Sequence, residues 1–309
     1  PELTGENWMP VKDVSALYSK LSERVLLGFG GVSEYGITSR WDKNFLTVIY
    51  LNLLRHQYFR LYDGVRFGGT LTVEDAWKLG FDHVCLATGA GKPTFVSMKN
   101  NMIRGIRKAS DILMALQLTG AWKKDSMANL QVRLPAVVIG GGLTAIDTAT
   151  EIMAYYPIQV MKIKQRYDEL CTAYGSASMD AMFQKEERAI LETYCEHAVA
   201  IEREQQRAAA CGEKPDYISL IRSWGGVAIY YRKAMTDAPA YRLNHEEVIK
   251  GLEEGIAFVE NMSPVEVVPD EFGAVRELLF ERQAKVDGKW RTTGERYTVP
   301  ARSVMVAAG

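Results

Sequence analysis

With 309 residues, 47% of them apolar and 24% charged, the chain can bury a sizeable core and reads as two domains or one large α/β unit. Its 37 basic and 38 acidic side chains leave a formal net charge of −1, which speaks against nucleic acid or a membrane surface as partner. Four scattered cysteines without C-x-x-C pairing speak against zinc, a bound iron–sulfur cluster or a disulfide framework, and the lack of a long apolar run or signal peptide points to the cytoplasm.

Residues 1–27 are polar, with Val14, Leu17 and Leu21 on one helical face. A loop over 28–37 carries Gly28, Gly30, Gly31 and Gly36; its backbone either approaches a flat or charged group or simply turns. The pattern then predicts an amphipathic helix over 43–59, a strand and turn over 64–72, a short helix at 73–76 and a buried strand over 81–87 ending in Thr88-Gly89-Ala90. Such a terminus brings small residues against a cofactor at the carboxyl edge of a sheet. A long helix is expected over 101–122, with Ile106, Ala109, Leu113 and Leu116 along one face.

The stretch 136–150, AVVIGGGLTAIDTAT, organises the rest: a strand, a tight turn and a helix start. Gly140 lets the chain leave the strand at a sharp angle, Gly142 lets backbone N–H groups approach a pyrophosphate, and Ala145 keeps helix and strand close. The turn therefore predicts a dinucleotide site. The helix is expected to end near Tyr156. Residues 158–163 stand where a ribose-reading strand would follow, but Pro157 and the spacing of Val160, Lys164 and Tyr167 favour a new helix.

Residues 158–224 thus read as a helical insertion, with a long helix over 179–211 stopped at Gly212 and buried through Ile190, Leu191, Tyr194, Ala198 and Ile201. It packs on the domain as a helical hairpin or forms an interface for a homo-oligomer. A better second strand, 226–231, ends in Arg232-Lys233. Asn244 and Glu247 predict a capping box, with a helix to 255, a strand over 256–259, an antiparallel pair of 265–268 with 275–280, and a closing strand over 297–308. His56, His83, His197 and His245 lack ligand spacing, and neither a metal-binding nor a catalytic role falls to any of them. The order is that of a doubly wound, Rossmann-like α/β domain. The start at Pro1 and the end right after an apolar strand read as a piece of a longer polypeptide.

A set of motifs in fixed order carries a family resemblance. It comprises Gly30-Gly31 with Tyr35-Gly36-Ile37, Ala87-Thr88-Gly89-Ala90, Gly105-Ile106 with Ala109, Asp111 and Leu113, Gly140-Gly141-Gly142 with Thr144, Ala145 and Asp147, Tyr231-Arg232-Lys233 with Pro239-Ala240, and Gly255-Ile256. From about residue 25 onward the chain resembles the small subunit of NADPH-dependent glutamate synthase. It is also similar to the reductase part of dihydropyrimidine dehydrogenase and related pyridine nucleotide-disulfide-type oxidoreductases. The resemblance implies an NADPH domain over 126–304 with the insertion, a partial FAD-type dinucleotide domain and connecting helix over 1–125, and a return strand over 305–309. It implies that Gly140, Gly141, Gly142, Thr144 and Ala145 hold the pyrophosphate of NADPH and that Arg232 and Lys233 meet its 2′-phosphate. It places Gly30, Gly31, Tyr35, Gly36 and Ile37 along FAD, with Thr88, Gly89 and Gly309 where the two cofactors meet.

Residue chemistry agrees on the basic pair, since a ribose hydroxyl wants a carboxylate whereas a phosphate wants a guanidinium. Leu143 departs from the acid common in the glutamate synthase subunit, and the family's first flavin glycine motif is not in the sequence. The segment is therefore expected to bind NADPH better than FAD and not to turn over alone. The implied activity is an electron-input module: hydride passes from NADPH to FAD, then to iron–sulfur centres or a partner subunit, with no side chain acting as acid, base or nucleophile. The other reading is a non-catalytic nucleotide-binding or assembly module that docks a partner through the insertion.

Overall fold

The computed structural model describes residues 52–62, 64–87 and 94–308. The chain divides into two compact units, Pro1–Tyr18 with Asn44–Lys92, and Ser19–Lys43 with Pro93–Gly309.

In the first unit, the described end of the expected 43–59 helix is helical only at 52–54, and the chain turns from Arg55 onward. A bridge between Phe67 and Leu71 closes a turn. Helix α1, Val73–Lys78, follows, opened by a capping box in which Thr72 and Asp75 satisfy each other's backbone N–H. The strand expected over 81–87 does not form: Phe81 and Leu86 are exposed, and the segment has no ladder partner among the described residues.

The second unit is built on a parallel sheet. Strand β1, Ile106–Lys108, leads into helix α2, Ala109–Thr119. The helix expected over 101–122 thus begins only at Ala109, because Gly105 sits at φ +95° with Val275 and the Arg302 carbonyl packed against it. Strand β2, Ala136–Ile139, runs into helix α3, Leu143–Tyr174. Helices α4 (Ser176–Asp180), α5 (Lys185–Cys211) and α6 (Tyr217–Ser223) follow, then strand β3, Val227–Tyr230. Helices α7 (Pro239–Leu243) and α8 (His245–Glu253) precede strand β4, Ala257–Val259. An antiparallel meander, β5 (Met262–Pro269), β6 (Val275–Val286) and β7 (Lys289–Pro300), leads to β8, Ser303–Val306.

The five parallel strands lie in the order β1-β8-β2-β3-β4. Side-chain alternation splits β2 between two cores. Ala136 and Val138 face the helices with Ile146, Ala149 and Ile152, whereas Val137 and Ile139 face the meander with Val267, Leu278 and Phe280. Covered on both faces, β2 and β8 are buried throughout, and for that reason β2 reads as an unbroken apolar run and β8 as one after Ser303.

Three sequence expectations change here. Helix α3 does not stop at Tyr156; it runs through Pro157 for 32 residues. A proline in a helix interior forfeits one backbone bond, at a cost of about 3 kcal/mol. The same helix recovers it in tertiary contacts: Tyr155, Tyr156 and Val160 are buried, and the Gln159 amide pairs with both the N–H and the C=O of Val132, at 2.8 and 2.9 Å. Lys162 Nζ donates to the carbonyls of Ala121 and Ala128 at 2.6 and 2.9 Å, tying the loop before β2 to the helix.

The strand expected over 297–308 is two. At Ala301 the backbone N–H donates to Arg276 and at Arg302 to Pro135, so the chain leaves the meander and re-enters the parallel sheet within two residues. Third, the Asn244–Glu247 pair bonds side chain to side chain at 2.9 Å, and the Asn244 side chain does not cap α8.

Candidate functional site

The turn between β2 and α3 stands at the carboxyl edge of the parallel sheet, where the strand order reverses. From β2 the chain moves outward to β3 and β4, then returns to place β8 on the other side of β2. A crevice at such a switch point is where open α/β sheets bind ligands.

Each glycine of the turn has a distinct steric reason. A Cβ on Gly140 would run into the backbone carbonyl of Ala307 at the end of β8. One on Gly141 would meet the Tyr231 ring, at 2.5 Å from its edge carbons. Gly142 has open space where its side chain would be. It is also the N-cap of α3, has no side chain to occupy the first-turn N–H groups, and no acid stands in that first turn. Ala145 N–H turns back to the Gly142 carbonyl at 3.0 Å, which leaves the N–H groups of Leu143 and Thr144, without a partner among the described residues, at the positive end of the helix, where an anion can be cradled. Thr144 is exposed on that first turn and Ala145 is fully buried against the core.

The register of β2 with β3 brings the distant basic pair to this turn. Ile139 pairs with Tyr230, and the Gly140 N–H donates to the Tyr230 carbonyl at 3.1 Å. Arg232 and Lys233, about ninety positions after Gly142, therefore stand in the loop beside the glycines. Arg232 is exposed and Lys233 half-buried, and among the described residues neither has a carboxylate partner. The acids nearby are engaged elsewhere: Asp237 pairs with Arg242 at 2.7 Å and Lys285 at 3.7 Å, and Glu260 accepts from the Met235 N–H. Burial pushes the Tyr231 phenol up, while the adjacent Arg232 pulls it the other way.

Two contacts were not assigned from the sequence, although their residues belong to the quoted motifs. Tyr231 walls Gly141, and the Ala240 N–H, one residue into α7 after its opening Pro239, donates to the Gly141 carbonyl at 2.9 Å. A tyrosine following a strand and a proline opening a helix are visible in the sequence; their convergence on Gly141 is not. Gly30, Gly31, Tyr35, Gly36, Ile37, Thr88, Gly89 and Gly309 lie outside the described residues.

The fold and this edge define a Rossmann-like doubly wound α/β protein with a helical insertion. No protein-family model matches the chain. It is 39% identical over 290 residues to an uncharacterized protein of Rickettsia prowazekii (strain Madrid E), covering 94% of this chain and 38% of that relative. The chain thus spans well under half the length of that curated relative.

Among solved structures it is similar to FprA of Mycobacterium tuberculosis in complex with NADPH. The TM-score is 0.53 and the identity 15%, across 91% of this chain and 62% of FprA. A second FprA structure, in which NADP+ is covalently modified, gives a TM-score of 0.52, again at 15% identity, with the same 91% and 62% coverage. These likenesses establish the fold. Among the described residues, no helix is long and apolar enough to cross a membrane.

Proposed function

We propose that this chain is the NADPH-oxidising, electron-input part of a flavoprotein oxidoreductase of the glutamate synthase small-subunit type. The observation that carries the reading is that an open helix N-terminus at Gly142 and two cations without a carboxylate partner among the described residues, Arg232 and Lys233, follow the carboxyl ends of neighbouring strands. The coenzyme bound by the FprA relative supports the same choice.

The first-turn N–H groups of α3 bind the pyrophosphate, and Tyr231 and the Ala240 N–H hold Gly141 so that the turn keeps its shape. Arg232 and Lys233 accept the 2′-phosphate, the group that separates this coenzyme from NADH. When bound, NADPH supplies a hydride to the flavin ring. By the family resemblance, Gly30, Gly31, Tyr35, Gly36 and Ile37 would lie along FAD, with Thr88, Gly89 and Gly309 near the meeting of the two cofactors, and electrons would leave for an iron–sulfur domain or partner subunit.

Calorimetric titration tests the reading. Arg232→Ala is expected to weaken NADPH binding about 10- to 100-fold, the loss of one charge-assisted contact, and to leave NADH binding nearly unchanged. Equal losses for both coenzymes would remove the assignment.

A further inference from the structure

At the opposite, amino edge of the parallel sheet, two neighbouring strands are preceded by arginines: Arg133 stands before β2 and Arg302 before β8. Both line a cavity of about 400 Å³ with Arg276, Glu186, Asp270, Glu271, Ala189 and Phe272. Both also line a smaller one of about 150 Å³, whose remaining walls are Leu134, Tyr156, Ile190, Thr193 and Tyr194.

Every acid of the larger cavity already has a cation. Glu186 pairs with Arg104 at 2.8 Å, Asp270 with Arg302 at 3.2 Å, and Glu271 with Lys185 at 3.6 Å. Asp270 is further held by the N–H groups of Phe272 and Ala274. Arg133 is left over: its guanidinium makes no ion pair and no hydrogen bond among the described residues, although Ser303 anchors its backbone N–H at 2.8 Å. Burial and the like charge of Arg302 push this guanidinium down, against the weaker pull of Tyr194, Asp270 and Glu186. A half-buried cation beside a second cation, with every facing acid engaged, favours an added anion.

The smaller cavity specifies what that anion carries. Both of its phenols are spent on the protein, Tyr156 O–H with His197 Nδ1 at 2.6 Å and Tyr194 O–H donating to the Val132 carbonyl at 2.7 Å. The rings themselves are buried, so Leu134 and Ile190 supply the cavity's apolar surface, beside a volume that admits a chain of a few carbons. We propose that the amino-edge cleft is a second ligand site, taking a short-chain carboxylate with its head group on the Arg133 fork and its alkyl body against Leu134 and Ile190. A planar guanidinium matches a carboxylate through two parallel N–H contacts, which a lysine cannot reproduce. The site is independent of the glycine-turn reading, because it lies at the other end of the strands.

The test titrates the full chain with butanoate, acetate and inorganic phosphate by NMR, with NADPH present throughout to fill the carboxyl edge. Butanoate is expected to saturate one site and bind more tightly than acetate. Arg133→Gln is expected to weaken it at least about tenfold and Arg133→Lys less, with NADPH affinity untouched. Thr193→Trp, at the exposed rim of the smaller cavity, is expected to abolish the preference for butanoate over acetate while the head-group site remains. Absence of saturation, unchanged binding in Arg133→Gln, or saturation by phosphate but not butanoate would each overturn the proposal.

Discussion

The carboxyl edge of the sheet and the helical insertion treat charge in opposite ways. Along α5 and its surroundings, clusters of charge come paired, as where Arg207 lies between Glu204 and Glu213 at 2.7 and 2.8 Å and Lys164 between Asp168 and Glu202 at 2.6 and 3.8 Å. At the β3 terminus, Arg232 and Lys233 have no carboxylate partner among the described residues and stand beside a helix N-terminus with no side-chain cap. Where α5 carries paired charges, the chain neutralises them itself; at the edge, on the proposed reading, the partner is the phosphate of a bound coenzyme. Buried polar groups follow the same division. In the insertion they bond to backbone and support the fold, whereas at the edge the backbone itself is kept open.

The sharpest way to break the comparison is at the glycines. Gly141→Val places side-chain carbon inside the Tyr231 ring and displaces it from the turn. NADPH binding is expected to disappear from calorimetry, with a loss of stability on the order of 1–3 kcal/mol from overpacking. Gly142→Ala is the contrasting variant. Its Cβ enters open space at φ −91°, so the melting temperature is expected to hold while the coenzyme is crowded and its Kd rises. If Gly142→Ala bound NADPH as the native chain does, the open space would not be the cradle.

Inside the insertion the effect should move from binding to stability. Gln159→Leu strips the Val132 N–H of its acceptor and leaves it buried, at a cost of about 1–3 kcal/mol, while NADPH affinity stays unchanged. Chemical denaturation and coenzyme titration of the same variant read the two halves of that statement. A drop in affinity alongside the drop in stability would mean that the insertion and the edge are coupled.

How much of this was legible depends on how local each signal is. The β2–turn–α3 unit could be read because apolar run, glycines and helix start are contiguous, and both faces of β2 are covered. The end of β3 could be read from Arg232-Lys233, although their meeting with Gly142 rests on strand register. Pro157 misled, since a local rule about helix starts was overridden by the burial of Tyr156 and the Gln159–Val132 pairing. Strand β1 is three residues long and was absorbed into a helix whose apolar spacing it happens to continue. Strand β7 is almost wholly exposed and carries no alternation to reveal it. The capping box at Asn244 has the right residues and the wrong bond: the Asn244 N–H is already taken by the Ala240 carbonyl at 2.9 Å, and the Glu247 carboxylate accepts from the Asn244 side-chain amide instead.

A smaller effect comes from His197, which stacks on Trp224 at 3.8 Å and shares a hydrogen bond with Tyr156. Burial lowers its pKa to about 4, below the ordinary 6.5. Between those values the unfolded chain binds a proton that the folded chain refuses, so stability falls as pH drops from 6.5 to 4 and is constant above. Discounted for its half-exposed setting, the loss is about 1–2 kcal/mol. His197→Phe is expected to flatten that part of the pH–stability curve; an unchanged slope would show that another group carries it.

The smallest effect is expected at Arg207. Its carboxylate partners hold the guanidinium above its ordinary range, and the guanidinium, with the Asp216 N–H, keeps the Glu204 carboxyl down at about 2, but the Arg207 side chain is about half exposed, so water screens its charge and it loses freedom to meet its partners. Arg207→Ala should leave the melting temperature within measurement error and NADPH affinity untouched. Set beside Arg232→Ala, it removes the same guanidinium from the same molecule. If both variants lost coenzyme affinity alike, net charge rather than position would be drawing the phosphate in, and raising the ionic strength would then erase the difference between NADPH and NADH in the native chain as well.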